Sequence, residues 1–183
     1  MGHKMRDLFA RLWMRLAKAR REEPALPKQA GREISGSEYL RQNAEKLAEW
    51  ISARMNKRVT ATMLNVIADG MEEGSSIRQM QEALRAQEGV VLGPDELDEP
   101  GEMIVRTAVI KSSNLARIEG LRELGIIEVE LVGCDPDCKE CQDVIAGNPY
   151  DLDRAAQLEM DLHPNHTGSW VPVFKPEDLK LTL

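Results

Sequence analysis

Apolar residues return every three to four positions through most of the first two thirds of the chain, and that spacing predicts helices. Leu8, Phe9, Leu12, Trp13, Leu16 and Ala17 form one stripe, with Arg6, Arg11, Arg15, Lys18, Arg20 and Arg21 opposite, so residues 4–21 read as a basic amphipathic helix. Glu22-Glu23-Pro24 ends it, and the prolines and glycines of residues 24–36 read as a linker. Ser37 is expected to cap a second helix running to about Lys57, with Tyr39, Leu40, Leu47 and Ile51 on its inner face. A third helix is expected over Thr60–Glu72, burying Met63, Leu64 and Ile67. Ser76 with Gln79 three residues on makes a capping box for a helix ending near Gln87.

Residues 89–101, rich in glycine, proline and acid, read as an exposed loop. A long helix should then span Glu102–Leu124, with Ile104, Ala108, Leu115, Ile118 and Leu121 on its core face and Gly125 at its C-cap. Beyond Gly125 the period changes. Residues 126–132 alternate in part and predict a strand leading into the cysteines. A short helix over Leu152–Met160, a turn at His163–His166 and an extended run Trp170–Phe174 complete the pattern. The expected fold is α+β, mainly α: a basic helix (1–23), a linker (24–36), a helical body (37–125) and a small C-terminal lobe with short strands (126–183).

Composition narrows this picture. Of 183 residues, 30% are charged and 4% aromatic, a balance that suits helices with modest cores. The net charge of -7 opposes wrapping of the whole chain along nucleic acid, although the first helix is locally basic. That helix can dock on a partner, an anionic surface or DNA, with Leu8, Leu12, Trp13 and Leu16 as apolar anchors and Arg11 and Arg15 beside them; the alternative is packing on its own domain. No apolar run is long enough to span a membrane, and no signal-peptide pattern is present. Three cysteines crowded into Cys134–Cys141 make a poor disulfide framework and suit a metal site in a reducing compartment.

Cys138-Lys139-Glu140-Cys141 is a Cys-x-x-Cys pair, and His163-Pro164-Asn165-His166 repeats the spacing about twenty residues on. Two thiolates and two imidazoles suit tetrahedral zinc, and four protein ligands leave no open position, so the expected ion is structural. A lobe with few large apolar side chains gains most from such a staple. Cys134 can replace a histidine as ligand or act as a small hydrophobe. Other readings stay open: free cysteines with surface histidines, a redox pair (for which no helix is expected directly after the motif), or acid–base work by Asp135, Asp137, Glu140 and Asp143. His163, Asn165 and His166 have only a slight likeness to His-Asn-His nucleases.

Two segments resemble a known family. The run Arg106-Thr107-Ala108-Val109 with Asn114 and Arg117 is similar to its Arg-Thr-Glu-Val helix, and Cys138-x-x-Cys141, His163-Pro164-Asn165 and Val171-Pro172-Val173 are similar to its C-terminal signature. The family is that of phage head morphogenesis proteins, the minor head proteins similar to Mu protein F. Ala108 stands where the family has Glu, and His166 where it has a final Cys. The resemblance implies a minor component of the virion or procapsid, assembled in the host cytoplasm. Its implied partners are the portal protein and capsid or scaffold proteins, with packaged DNA as a further one, and its implied role is head assembly and DNA packaging or release without catalysis. Arg106, Thr107, Asn114 and Arg117 are then structural motif residues, Arg106 and Asn114 expected to hydrogen-bond the C-terminal lobe. A nucleic-acid-binding accessory protein and a zinc nuclease or hydrolase are the alternatives.

Overall fold

The computed structural model describes residues 34–87 and 99–174. The expected basic helix, with Leu8, Arg11, Leu12, Trp13, Arg15 and Leu16, lies outside the described residues, as do linker residues 24–33 and loop residues 89–98. Seven helices and three short strands follow in order: α1 (Gly36–Gln42), α2 (Ala44–Met55), α3 (Ala61–Glu72), α4 (Ile77–Ala86), α5 (Glu99–Glu123), β1 (Glu128–Val132), α6 (Lys139–Ala146), β2 (Tyr150–Asp151), α7 (Leu152–Asp161) and β3 (Ser169–Pro172). The fold is α+β and mainly helical. The described residues form one compact unit, with no division at residue 125.

Capping chemistry sets several boundaries. Ser35, not Ser37, caps α1 by accepting from the Glu38 amide, so the last residue of the expected linker, Gly36, is already helical. Ser37 is buried within that helix, its hydroxyl 2.9 Å from that of Ser35. The single helix expected to run to Lys57 is broken at Asn43, whose φ of −115° leaves the helical range and whose amide donates to the Tyr39 carbonyl. Asparagine competes with the backbone for such carbonyls, and the break re-aims α2. Thr60, expected within the third helix, is its N-cap, and Ser76 caps α4 as the sequence predicts, with both halves of the capping box formed.

The long helix begins at Glu99, three residues before its expected start, taking in Glu99, Pro100 and Gly101. Proline is tolerated there because a first-turn N–H has no helical acceptor. The helix ends in a Schellman turn: Gly125 sits at φ +76°, the Ile126 N–H reaches the Leu121 carbonyl and the Gly125 N–H that of Arg122.

Two buried clusters meet on α5. Leu40, Leu47, Ile51, Leu64, Ile67, Met80 and Leu84 close around Ile104, Val105, Ala108 and Leu115 in the body. Val129, Leu131, Leu152, Leu158, Leu162 and Trp170 close around Ile118 in the lobe. The antiparallel sheet has the order β2-β1-β3, and pairing of Leu131 with Trp170 puts both side chains inside. Asn148 extends the pairing beyond β2, since its side-chain amide both accepts from and donates to the backbone of Leu131, at 3.0 Å each way. The Tyr150 hydroxyl donates to Val144 and so ties α6 to this sheet.

The complete capping box gives a direct test. Ser76→Ala is expected to destabilise the protein by about 1 kcal/mol in urea unfolding with little change in the transition's slope.

Candidate metal centre

β1 delivers the chain to a turn at residues 133–137, where the Asp135 carboxylate accepts from the Asp137 N–H. Cys138 then serves as N-cap of α6, its sulfur accepting from the Cys141 N–H at 3.5 Å. A helix therefore follows the Cys-x-x-Cys pair directly, contrary to the sequence expectation. The strand–motif–helix order of a redox pair is met, but an imidazole also faces the sulfurs. His163 Nε2 lies 3.0 Å from the Cys138 sulfur and 3.4 Å from the Cys141 sulfur. The three ligand atoms all lie within 4.8 Å of one another.

Local bonding prepares His163 for a metal. Its Nδ1–H donates to the Pro164 carbonyl at 2.8 Å, which leaves the Nε2 lone pair facing both sulfurs. Burial opposes its protonation, but the Pro164 carbonyl and the Cys138 sulfur together hold it above the usual histidine range. The Cys141 amide draws Cys138 below the ordinary thiol range, helped by the neighbouring sulfur and by His163. Burial pushes the Cys141 thiol up, with Cys138 and Cys134 beside it adding to the effect. Burial likewise raises Cys134. A divalent ion of zinc type would displace these retained protons, as ligation by thiolates requires.

His166 and Cys134 stand outside that set of three. Cys134 packs where Gly168 has no side chain: a Cβ there would come within 2.5 Å of the Cys134 sulfur and 2.8 Å of Leu131. His166 is 2% exposed, its ring centre 6.2 Å from that of His163 and nearly perpendicular to it. Its Nε2 lies 2.8 Å from Glu159 Oε1, while its Nδ1 is buried without a hydrogen-bond partner. Two sulfurs and an imidazole with a fixed tautomer, converging on one point, fit the donor set of a zinc site.

Behind the site lies a buried network absent from the sequence expectations. The Glu159 carboxylate is wholly buried and accepts from His166 at Oε1, and from Trp170 Nε1 (2.9 Å) and Asn114 Nδ2 (3.1 Å) at Oε2. The Asn114 amide also donates to the Gly168 carbonyl at 2.9 Å. Lys111, also wholly buried, donates to the main-chain carbonyls of Glu159 and Leu162, and its Nζ lies 3.8 Å from Glu159 Oε1 and 4.5 Å from the centre of the Trp50 ring. It thereby satisfies carbonyls that the last turn of α7 leaves open. The signal was present in the sequence. Glu159 falls on the apolar stripe of Leu152, Ala155 and Leu162, and Lys111 lies between Ala108 and Leu115 on that of α5.

The motif residues of α5 divide by face. Thr107 is buried and its hydroxyl accepts from the Asn165 N–H at 3.0 Å, while Asn114 reaches Glu159 and Gly168. Arg106 departs from expectation: it is half exposed and pairs with Glu102 one turn back, not with the lobe. One step along a helix rotates a side chain by about 100°, so Thr107, Lys111, Asn114 and Ile118 share the lobe-facing side and Arg106 turns away. Arg117 is exposed.

Comparison of the chain with known protein families, characterised proteins and solved structures finds no match in any of the three.

Lys111→Met is expected to cost about 3–5 kcal/mol at pH 7 in urea unfolding, because it strands a buried carboxylate. The lysine's own titration is separable. Burial lowers its pKa to about 8, against the opposing pull of Glu159. The unfolded chain therefore holds this proton to higher pH than the folded one, so wild-type stability relative to Lys111→Met should rise between about pH 8 and 10.5, by at most about 3 kcal/mol. Equal pH slopes for the two proteins would contradict this.

Proposed function

We propose that this chain is a non-enzymatic minor head protein of a phage, whose C-terminal lobe is held in shape by one zinc ion on Cys138, Cys141, His163 and His166. The ion, when bound, supplies a cross-link and no reactive centre, because four protein ligands leave no position for water. The observation that carries the zinc reading is the meeting of both sulfurs and His163 Nε2 within 4.8 Å. The assembly reading rests on the resemblance of the two motif segments. Their direct contact supports it: the Asn165 amide bonds Thr107, and Asn114 bonds the Gly168 carbonyl. Residues more than fifty positions apart thus form one unit, which suits a shape presented to a partner.

In this reading the lobe is a rigid docking element, and the portal and surrounding capsid or scaffold proteins are its partners. The basic segment with Leu8, Arg11, Leu12, Trp13, Arg15 and Leu16 supplies a further contact, to the portal or to packaged DNA. The protein resides in the procapsid and virion.

Elemental analysis of the purified chain should find about one zinc per molecule. Cys141→Ser is expected to lose that zinc and, with it, amide-exchange protection across residues 134–168, while residues 61–86 stay protected. Full protection of the lobe in the metal-free variant would remove the structural role of zinc. The assembly role is checked by co-sedimentation with portal-bearing empty heads: wild type should incorporate and Cys141→Ser should incorporate poorly. Failure of the zinc-loaded protein to associate with heads would overturn the head-protein reading.

A further inference from the structure

We propose that Glu159 is a positioning residue for the metal: it fixes the tautomer of His166 so that Nδ1, not Nε2, is the fourth ligand. This rests on the zinc reading above and extends it to a residue outside the ligand set. An imidazole can ligate only through an unprotonated nitrogen, and which nitrogen that is depends on the hydrogen bond made by the other. Glu159 Oε1 can only accept, so His166 Nε2 carries the proton that it meets at 2.8 Å. The remaining lone pair is on Nδ1, and Nδ1 is the one buried side-chain nitrogen or oxygen among the described residues with no partner. A buried polar atom left this way is unfavourable, and ligation of a cation removes the cost.

The carboxylate is itself held against rotation. Oε2 accepts from both Trp170 Nε1 and Asn114 Nδ2, so a carboxylate oxygen remains for His166 only on the Oε1 side. These donors come from β3 and α5. Loading of the metal is thereby coupled to seating of the lobe on the long helix, since whatever disturbs Trp170 or Asn114 also releases His166.

The arrangement makes Glu159→Gln a specific probe. With Trp170 and Asn114 both donating, the glutamine oxygen must face them and its NH₂ must face His166. That NH₂ donates to Nε2, drives the imidazole proton onto Nδ1 and removes the ligand lone pair while preserving shape.

Cobalt(II) titration of the full chain is the test. Wild type should bind one equivalent with the absorption of a tetrahedral site of two sulfurs and two nitrogens. Glu159→Gln should bind cobalt about 10–100-fold more weakly, with unchanged helical circular dichroism. In a His166→Cys background, where no tautomer matters, Glu159→Gln should cause no loss of affinity, which a merely structural role for Glu159 would not reproduce. Equal affinity of Glu159→Gln and wild type overturns the proposal and leaves the zinc reading intact. A three-sulfur spectrum in wild type also overturns it, by making Cys134 the fourth ligand. Absence of any cobalt binding by wild type defeats the zinc reading itself. Should Glu159→Gln fail to fold, nitrogen-15 NMR of the metal-free wild type decides: a proton on His166 Nε2 upholds the proposal, and a proton on Nδ1 ends it.

Discussion

A single buried carboxylate organises the lower half of this molecule. Glu159 has no exposure to water, and an ion in that position is tolerated only when its lone pairs are met by donors and its charge by a cation. The donors come from a β3 tryptophan, an α5 asparagine and a histidine in the turn before β3, and the cation is an α5 lysine that also closes the end of α7. No one of these contacts is strong in isolation. Their joint requirement is geometric, because any other seating of α7 on α5 strands a charge. Apolar contacts drive the lobe onto the body, and the polar network selects the register in which they do so.

Much of the outline could be read from the sequence. Helical period placed α3, α4, α5 and α7, cap residues fixed Ser76 and Gly125, and the Cys-x-x-Cys and His-Pro-Asn spacings found the three atoms that converge. The errors have physical causes. Asn43 breaks a periodic run through a side-chain bond to a backbone carbonyl, which hydrophobic spacing does not register. The helix after Cys138 is short and polar, capped by a sulfur in place of a hydroxyl. Motif position alone does not tell which way Arg106 faces; Thr107, one residue on, holds the lobe side. Glu159 and Lys111 are hard to read from sequence because charge on an amphipathic helix ordinarily faces solvent. Their place on the apolar stripe was the clue.

The long helix is a wall common to two cores: Ile104, Ala108 and Leu115 line the body, and the adjoining strip of Thr107, Lys111, Asn114 and Ile118 meets the lobe. Such a helix shows little one-sided amphipathicity, as expected when both sides are covered. It also means that body and lobe rest on one common support. The three cysteines pack into the same lobe core as Ile118, Leu131 and Trp170.

Asn148 gives that sheet a property beyond its size. By exchanging two hydrogen bonds with Leu131 it stands in for a neighbouring strand at the point where β2 has ended. A three-stranded sheet ordinarily leaves unpaired amides along both margins, each an invitation to strands from other molecules. Here the β2 margin of β1 is closed by a side chain. Where copies of this protein crowd together, growth of the sheet by β-addition beside Leu131 is blocked within the fold itself.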